Sequence, residues 1–599
     1  MPTMAVQNAR ALHRRQDAVT VRHRLIGSAN STSVNQRGVH LDTRRIIQGD
    51  SMTDWTAPAP GPWQQDSAHT PVSQAASMAD IYPAGFNRGF SETFARYGVL
   101  LDRLAMATVN GFTYHQPQPF DMPGPDGPLS EEQIGAEFGR RLELAAMVFE
   151  TKLWRQDLEQ WDNEAKPNSI DRHRSLGDVD FAALDNEQLA DHVRRVVENT
   201  SEMVYQHHRF NMAAMLPVGD FALRASGMTG RPPEPMLAAL DGYSPVSGIM
   251  PDDMRAAIDK IRSNPAAVEL CAGDGDPQDR LMSLRALVPE VDDYVRSVGF
   301  RLVDGFDVTN PTVAECPDLI LGKFFVALDA TPGDAHARAD QFAAELRTEV
   351  PHEQQVIFDE LLHEARTMYR LRDERGLYSD MSAIGLVRWA LLEVGRRAES
   401  DGRLEDADLA LDANIDEAIA MIGGGGPSTE VLSQRRARRL ELTSEGAPRF
   451  LGPPPPAPPP ADQLPAPLAR LMSAIGFLIE GILGQMDAPA GEDGVVIGIP
   501  ASAGTTEGTA RLILSTEDLM ALEPGEIVVA PTTGEAFNAM LHLIGGIVTD
   551  HGSFACHAGI IAREMGFPAV VGTIDATSRI ASGDILKLDG STGEVHIIG

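Results

Sequence analysis

The sequence predicts a multidomain chain in which a large, mainly α-helical domain is followed by a smaller α/β domain. Three observations carry this. Helical periodicity dominates from about residue 83 to about Leu440, and a Gly- and Pro-rich stretch then breaks it. Beyond the break, short apolar runs alternate with turn signals, as strands do. A chain of 599 residues holds two to four such domains. Its 51 Lys and Arg against 85 Asp and Glu, a net charge of −34, argue against nucleic acid or a membrane surface as partner. Cys271, Cys316 and Cys556 share no metal-type spacing. That pattern predicts no metal site and no disulfide frame, and it fits a reducing, cytoplasmic compartment.

Residues 1–51 differ from the rest, with eight arginines, three aspartates and neither Glu nor Lys. They lack the apolar core of a secretory signal and read as a disordered or non-native extension, a transit peptide being the alternative. Met52-Thr-Asp-Trp reads as the functional start. The Pro-, Ala- and Ser-rich stretch from Thr53 to about Pro83 reads as an arm ordered on contact. Ser130 and Gln133 fit a capping box opening an amphipathic run to about Trp161. Further helical runs cover Leu184–Met215, Met250–Ile261, Leu281–Val298, Ala335–Arg347, Glu353–Arg372 and Met381–Ser400. Phe300–Val303 and Leu319–Leu328 are the best strand-like runs within this body. Residues 52–445 together form the helical domain, long enough to bury a sizeable core and a concave site.

Residues 446–490 read as a linker and a docking helix. Pro453–Pro456 and Pro458–Pro460 cannot be helix or central strand, and residues 453–460 span about 25 Å as polyproline II. From Leu468 to Met486 apolar residues recur at helical spacing, while Arg470, Glu480 and the glycines argue against a membrane span. The α/β domain, 491–599, is expected to have strands at Val495–Ile499, Ala510–Leu514, Glu526–Ala530, Gly546–Thr549, Ala569–Val571, Asp584–Leu588 and Glu594–Ile598.

One stretch of that domain concentrates the chemistry. From Gly545 to Gly572 it reads GGIVTDHGSFACHAGIIAREMGFPAVVG. A strand, a loop, a helix from Ala558 to Met565 and a Gly566/Pro568 stop follow one another. His557 therefore falls at a helix start, where unpaired N–H groups and the helix dipole favour an anion. Thr549, Gly552, His557, Ala558, Ile560 or Ile561, Ala562, Arg563, Glu564, Gly566, Pro568 and Gly572 make the stretch resemble the phosphohistidine signature of the PEP-utilising enzymes, such as PEP synthase, pyruvate phosphate dikinase and rifampin phosphotransferase. Ala365–Arg375 and Arg388–Arg397 resemble the helical linker region of the same family.

The resemblance implies that 491–599 is a swivelling phosphohistidine domain and that His557 is the catalytic carrier. An imidazole, neutral near pH 7, suits that role. Thr549, Cys556 and Arg563 become phosphate neighbours. Cys556 stands where the family has Ser, and Ala555 where plant-type dikinases carry a regulatory Thr. His551 and Ser553 alter the usual Gly-Gly. In the body, His207, His208, Tyr114, Arg366 and Arg372 are substrate-binding candidates, against the plainer possibility of core-edge or solvated polar groups. Two adjacent helical histidines point about 100° apart and do not ligate one metal together.

With five lysines, the chain shows no Gly-rich, Lys-bearing ATP-grasp stretch, and no PEP/pyruvate barrel follows. The layout resembles split dikinases such as phenylphosphate synthase. It implies Mg-ATP bound by a separate ATP-grasp subunit and a small hydroxylated, phenolic acceptor bound here. The alternatives are an antibiotic hydroxyl or pyruvate as acceptor, or an inert interaction protein that keeps the fold.

Overall fold

A computed structural model describes residues 55–598, except 123–126, 247–253, 304, 330–333, 455–459, 484–493, 515–517, 520, 535–536, 538–539 and 541–542. The expected extension at 1–51 and most of the polyproline run lie outside the described residues.

The body is built around two long helices, Ala76–Tyr97 and Asn186–Arg209, which pack side by side and run in the same direction. Gly85 and Gly89 let these two helices approach backbone to backbone. A Cβ at Gly85 would stand 2.3 Å from the Ser201 carbonyl, and one at Gly89 would stand 2.7 Å from that of Tyr205. Asp380–Ser400 packs on Asn186–Arg209 from the other side. Capping boxes open helices at Ser130/Gln133 and Asp185/Gln188, so each first turn has its orphan donors satisfied.

Several expected elements are corrected. The arm ordered on contact becomes a short strand, Trp63–Gln65, and then the helix from Ala76, which runs straight through Pro83. Leu101–Val109 and Phe112–Pro119 form a β-hairpin rather than helix. Asn110 and Gly111 turn it with φ of 50° and 80°, the two positive values of a type I′ turn. With Trp63–Gln65 and Phe450–Leu451 they make a four-stranded antiparallel sheet, so the stretch read as linker supplies an edge strand. Leu319–Leu328 lies within a helix, Pro317–Asp329, and Leu281–Val298 is split at Pro289 into two helices. Phe300–Val303 contributes one isolated bridge, Leu302 to Thr312.

Ala466–Leu483 is helical and packs on Asn211–Thr229. After it comes an eight-stranded mixed sheet in the order Val495–Ile497, Glu594–Ile597, Ile585–Asp589, Thr505–Leu512, Ile527–Ala530, Gly546–Thr549, Ala569–Val571, Ile499–Ser502. The four strands from Thr505–Leu512 to Ala569–Val571 are parallel to their neighbours, and the outer pairings are antiparallel. The fold is thus a large helical region followed by a mixed α/β sheet region.

The core does not stop at the boundary. One apolar cluster runs from Phe86, Trp154, Phe221 and Phe358 of the body through Leu468, Leu471 and Leu478 of the connecting helix. It ends on Phe554 and Ala555 of the α/β domain. Gly481 makes the last contact possible: a Cβ there would meet the Phe554 ring at 2.6 Å. The Ala555 amide donates to the Gly481 carbonyl at 2.8 Å, and the Phe477 and Phe554 rings lie 5.1 Å apart. The α/β domain is docked against the body, with the loop before His557 at the seam.

Candidate active site

His557 is the first residue of the helix His557–Met565, one residue earlier than the sequence suggested. Strand Gly546–Thr549 feeds the loop that delivers it, and Gly552 bends that loop with φ of 101°, a conformation open to glycine. Gly566, with φ of 81°, ends the helix in a left-handed cap. The capping residue is Cys556, whose sulfur makes no capping hydrogen bond, so no strong side-chain acceptor competes for the first-turn N–H groups. Burial pushes the Cys556 thiol up, which keeps it neutral.

The hydroxyl Oγ1 of Thr533 lies 2.9 Å from Nδ1 of His557. With Nδ1–H donating to that oxygen, the Nε2 lone pair is the free nucleophile. Burial pushes the His557 pKa down to about 4, with Asp373 working against the shift and Arg372 adding to it. The ring is therefore neutral at physiological pH. Sequence reasoning missed Thr533. Its signal was position, in the loop after strand Ile527–Ala530, beside the strand that leads to His557.

The other expected phosphate neighbours serve the loop. Thr549 is fully buried, and its hydroxyl donates to the His551 carbonyl at 2.9 Å, not to His557. Arg563 donates to the carbonyls of Phe554 and Ala501 at 2.7 and 3.1 Å and lies 3.5 Å from Asp241 of the body. It fixes the loop and ties it across the seam.

Of the body candidates, the structure brings Arg372 to the seam. It pairs with Asp373 at 2.7 Å, and both are close enough to perturb His557. The cleft between them is lined by Tyr369, Arg372, Arg375, Leu478, Ala555 and Arg563, with about 30 Å³ free. That is room for a water or two. Arg366 is engaged elsewhere, holding the Ala239 and Ala339 carbonyls at 2.9 and 3.2 Å and Asp340 at 2.8 Å. Tyr114 is a core residue whose hydroxyl donates to the Pro448 carbonyl at 2.8 Å.

His207 and His208 are stacked, with ring centroids 4.6 Å apart, closer than their backbone directions suggested. Nδ1 of His207 lies 2.8 Å from Asp380, which also accepts from the Tyr82 hydroxyl at 3.0 Å. His208 packs between Phe86 and Phe90. Burial keeps both imidazoles neutral. Among the described residues, no group of three or more His, Cys, Asp or Glu is placed to hold a metal ion. No helix among them is long and apolar enough to cross a membrane.

The geometry is that of an α/β domain, with a buried neutral histidine at a helix start, docked on a helical body. Residues 522–593 match the mobile domain of PEP-utilising enzymes, and 212–373 match the fourth domain of rifampicin phosphotransferase. The chain is thus similar to PEP-utilising enzymes over its α/β domain and to rifampicin phosphotransferase over part of its helical body. It is 28% identical over 366 residues to a rifampicin phosphotransferase of Streptomyces sviceus, covering 57% of this chain and 38% of that protein. It is 33% identical over 222 residues to the prodigiosin synthesizing transferase PigC of Serratia marcescens, covering 35% and 22%. A phosphoenolpyruvate synthase of Aeropyrum pernix is 39% identical over 109 residues, covering 18% and 13%. The chain spans less than half the length of each of these relatives.

Proposed function

We propose that this chain is the phosphohistidine-carrying, acceptor-binding part of an ATP-dependent dikinase that phosphorylates a hydroxyl group. The observation that carries this is His557: a neutral imidazole at a helix N-terminus, with Nδ1 engaged by Thr533 and Nε2 free. Nε2 accepts a phosphoryl group from ATP, and the new phosphate lies in the field of the helix N-terminus. The acceptor hydroxyl then attacks it. The overall change is ATP, acceptor and water to AMP, phosphate and phospho-acceptor. Mg-ATP belongs in this scheme to a separate ATP-grasp subunit, outside these 599 residues.

The nearly closed cleft supports a swivelling carrier, since a phosphoryl group and an acceptor both need more room than the docked seam leaves. The aromatic group of the body formed by Tyr82, Phe86 and Phe306 suits a phenolic acceptor. A second candidate is an antibiotic hydroxyl, favoured by the match of 212–373 to a rifampicin phosphotransferase domain.

The test is reconstitution with an ATP-grasp partner, ATP labelled at the β-phosphate, and a panel of phenols and hydroxylated antibiotics. The wild type should take up acid-labile label and pass it to one acceptor class, and His557→Ala should take up none. An unlabelled wild type, or label retained by His557→Ala, overturns the relay.

A further inference from the structure

A second group of titratable side chains lies in the body along the same seam. Asp66 and His69 belong to the turn after strand Trp63–Gln65. Nδ1 of His69 lies 2.9 Å from Asp66 Oδ2, and its backbone amide donates to the same carboxylate at 3.1 Å. The Asp66 side chain is only 4% exposed and His69 is 45% exposed. An Asp-held Nδ1 leaves Nε2 as the outward, proton-accepting atom. The paired histidines of the body lack that opening: His207 is 12% exposed against Asp380, and His208 is buried between phenylalanine rings.

The titratable and charged groups around His69 come from four elements. Asp66 is on its own turn. His115 of the hairpin stands 3.7 Å from Asp66. Arg375 and Asp380 act on the ring from the paired helices Leu371–Tyr378 and Asp380–Ser400, and Phe306 lies 6.3 Å from it. Arg375 is buried with Nε unpartnered, and it also lines the cleft beside Arg372 and Arg563. On the carrier side, His551 of the loop before His557 lies 3.4 Å from Ser444, whose carbonyl accepts from Gln65 of the strand leading to Asp66. The turn that carries the Asp66–His69 pair is thus joined through Gln65, Ser444 and His551 to the loop before His557.

We infer that the Asp66–His69 pair is the acceptor-side general base, with His69 Nε2 taking the proton of the hydroxyl that discharges the carrier. The assignment rests on the relay proposed above. In the step, the acceptor oxygen forms the O–P bond as the His557 Nε2–P bond breaks. The electron pair of the broken bond returns to His557 Nε2, and the hydroxyl proton moves to His69 Nε2 and from there to solvent. Asp66 holds the tautomer and stabilises the imidazolium, raising the His69 pKa above its ordinary value.

Loading and discharge separate the two claims. The full chain is loaded chemically with phosphoramidate, and phosphohistidine at His557 is confirmed by mass spectrometry. It is then discharged to benzyl alcohol, phenol or the more acidic 4-nitrophenol. His69→Gln and His69→Ala should load as the wild type does. Both should discharge to benzyl alcohol about 10²- to 10⁴-fold more slowly. The loss should shrink as acceptor acidity rises, and free imidazole should restore part of the rate in His69→Ala. The wild-type discharge rate should rise with pH through an imidazole limb that Asp66→Asn moves to lower pH. Normal discharge in the His69 variants, or an equal loss for every acceptor without imidazole rescue, overturns the assignment while leaving the relay. A wild type that does not load at His557, or loads and discharges to no hydroxyl, overturns the relay and this assignment with it.

Discussion

His557 derives its reactivity from three neighbours rather than from its type. Thr533 orients the ring, burial keeps it neutral, and in the proposed relay the start of the helix receives the charge of the bound phosphate. Thr533→Val removes one neutral hydrogen bond, worth about 1 kcal/mol. Phosphoenzyme formation should slow by about fivefold, with the fold unchanged by circular dichroism; unchanged loading kinetics would remove Thr533 from the site. The histidine at the helix start, the Cys556 departure and the αL cap at Gly566 were all legible in the sequence, because they lie in one continuous strand–loop–helix. Thr533, Asp373 and the Asp66–His69 pair were not. They come from other segments, and no local pattern ties them to His557.

At the scale of elements, the helix start at Ser130 was legible because Ser130 and Gln133 mark it, while the same device at Asp185/Gln188 was not read. The hairpin was legible too, through Asn110-Gly111 between alternating runs, but the surrounding helical periodicity outweighed it. Leu319–Leu328 shows the limit of apolar runs. A segment apolar on most faces fits a buried strand or a buried helix, and the cluster around Phe324, Ile258 and Val291 selected helix. The crossing of Ala76–Tyr97 with Asn186–Arg209 depends on Gly85 for want of a side chain. Gly85→Ala should drive the helices apart and cost about 1–3 kcal/mol. A thermal melt should show the lowered midpoint, and an unshifted one would mean the helices accommodate a Cβ.

For the whole molecule the question is how firmly the carrier domain docks. Burial in the seam lowers the His557 and His551 pKa values to about 4 from 6.5, so these groups weaken docking as pH falls below about 6.5. Burial also raises Asp241 to about 6 and Glu564 to about 7, from 3.8 and 4.5. Those carboxyls favour the docked state when protonated and oppose it as pH rises through those values. The two trends oppose each other over the acidic range, and above about 6.5 only the carboxyl trend remains. Glu564→Gln keeps an acceptor for the Gly242 amide, 3.2 Å away, while removing the ionisation. Small-angle scattering should show the variant more compact than the wild type above about pH 7, and identical pH curves would assign the balance elsewhere.

The sequence by itself determined the order of domains, most strands of the α/β sheet though not the break of 495–499 into its two edge strands, the helix that carries His557 and the chemistry that its motif resembles. These are local matters of periodicity, capping and turn residues. Only the tertiary structure decided what surrounds that histidine. The continuous apolar core from Phe86 through Leu471 to Phe554 holds the carrier loop against the body. Docking sets Arg372 and Asp373 beside His557, and body packing leaves His69 open while His207 and His208 are sealed. The physical reason is that burial and electrostatics depend on which surfaces meet, and residues hundreds of positions apart meet here through packing that no single stretch of chain encodes.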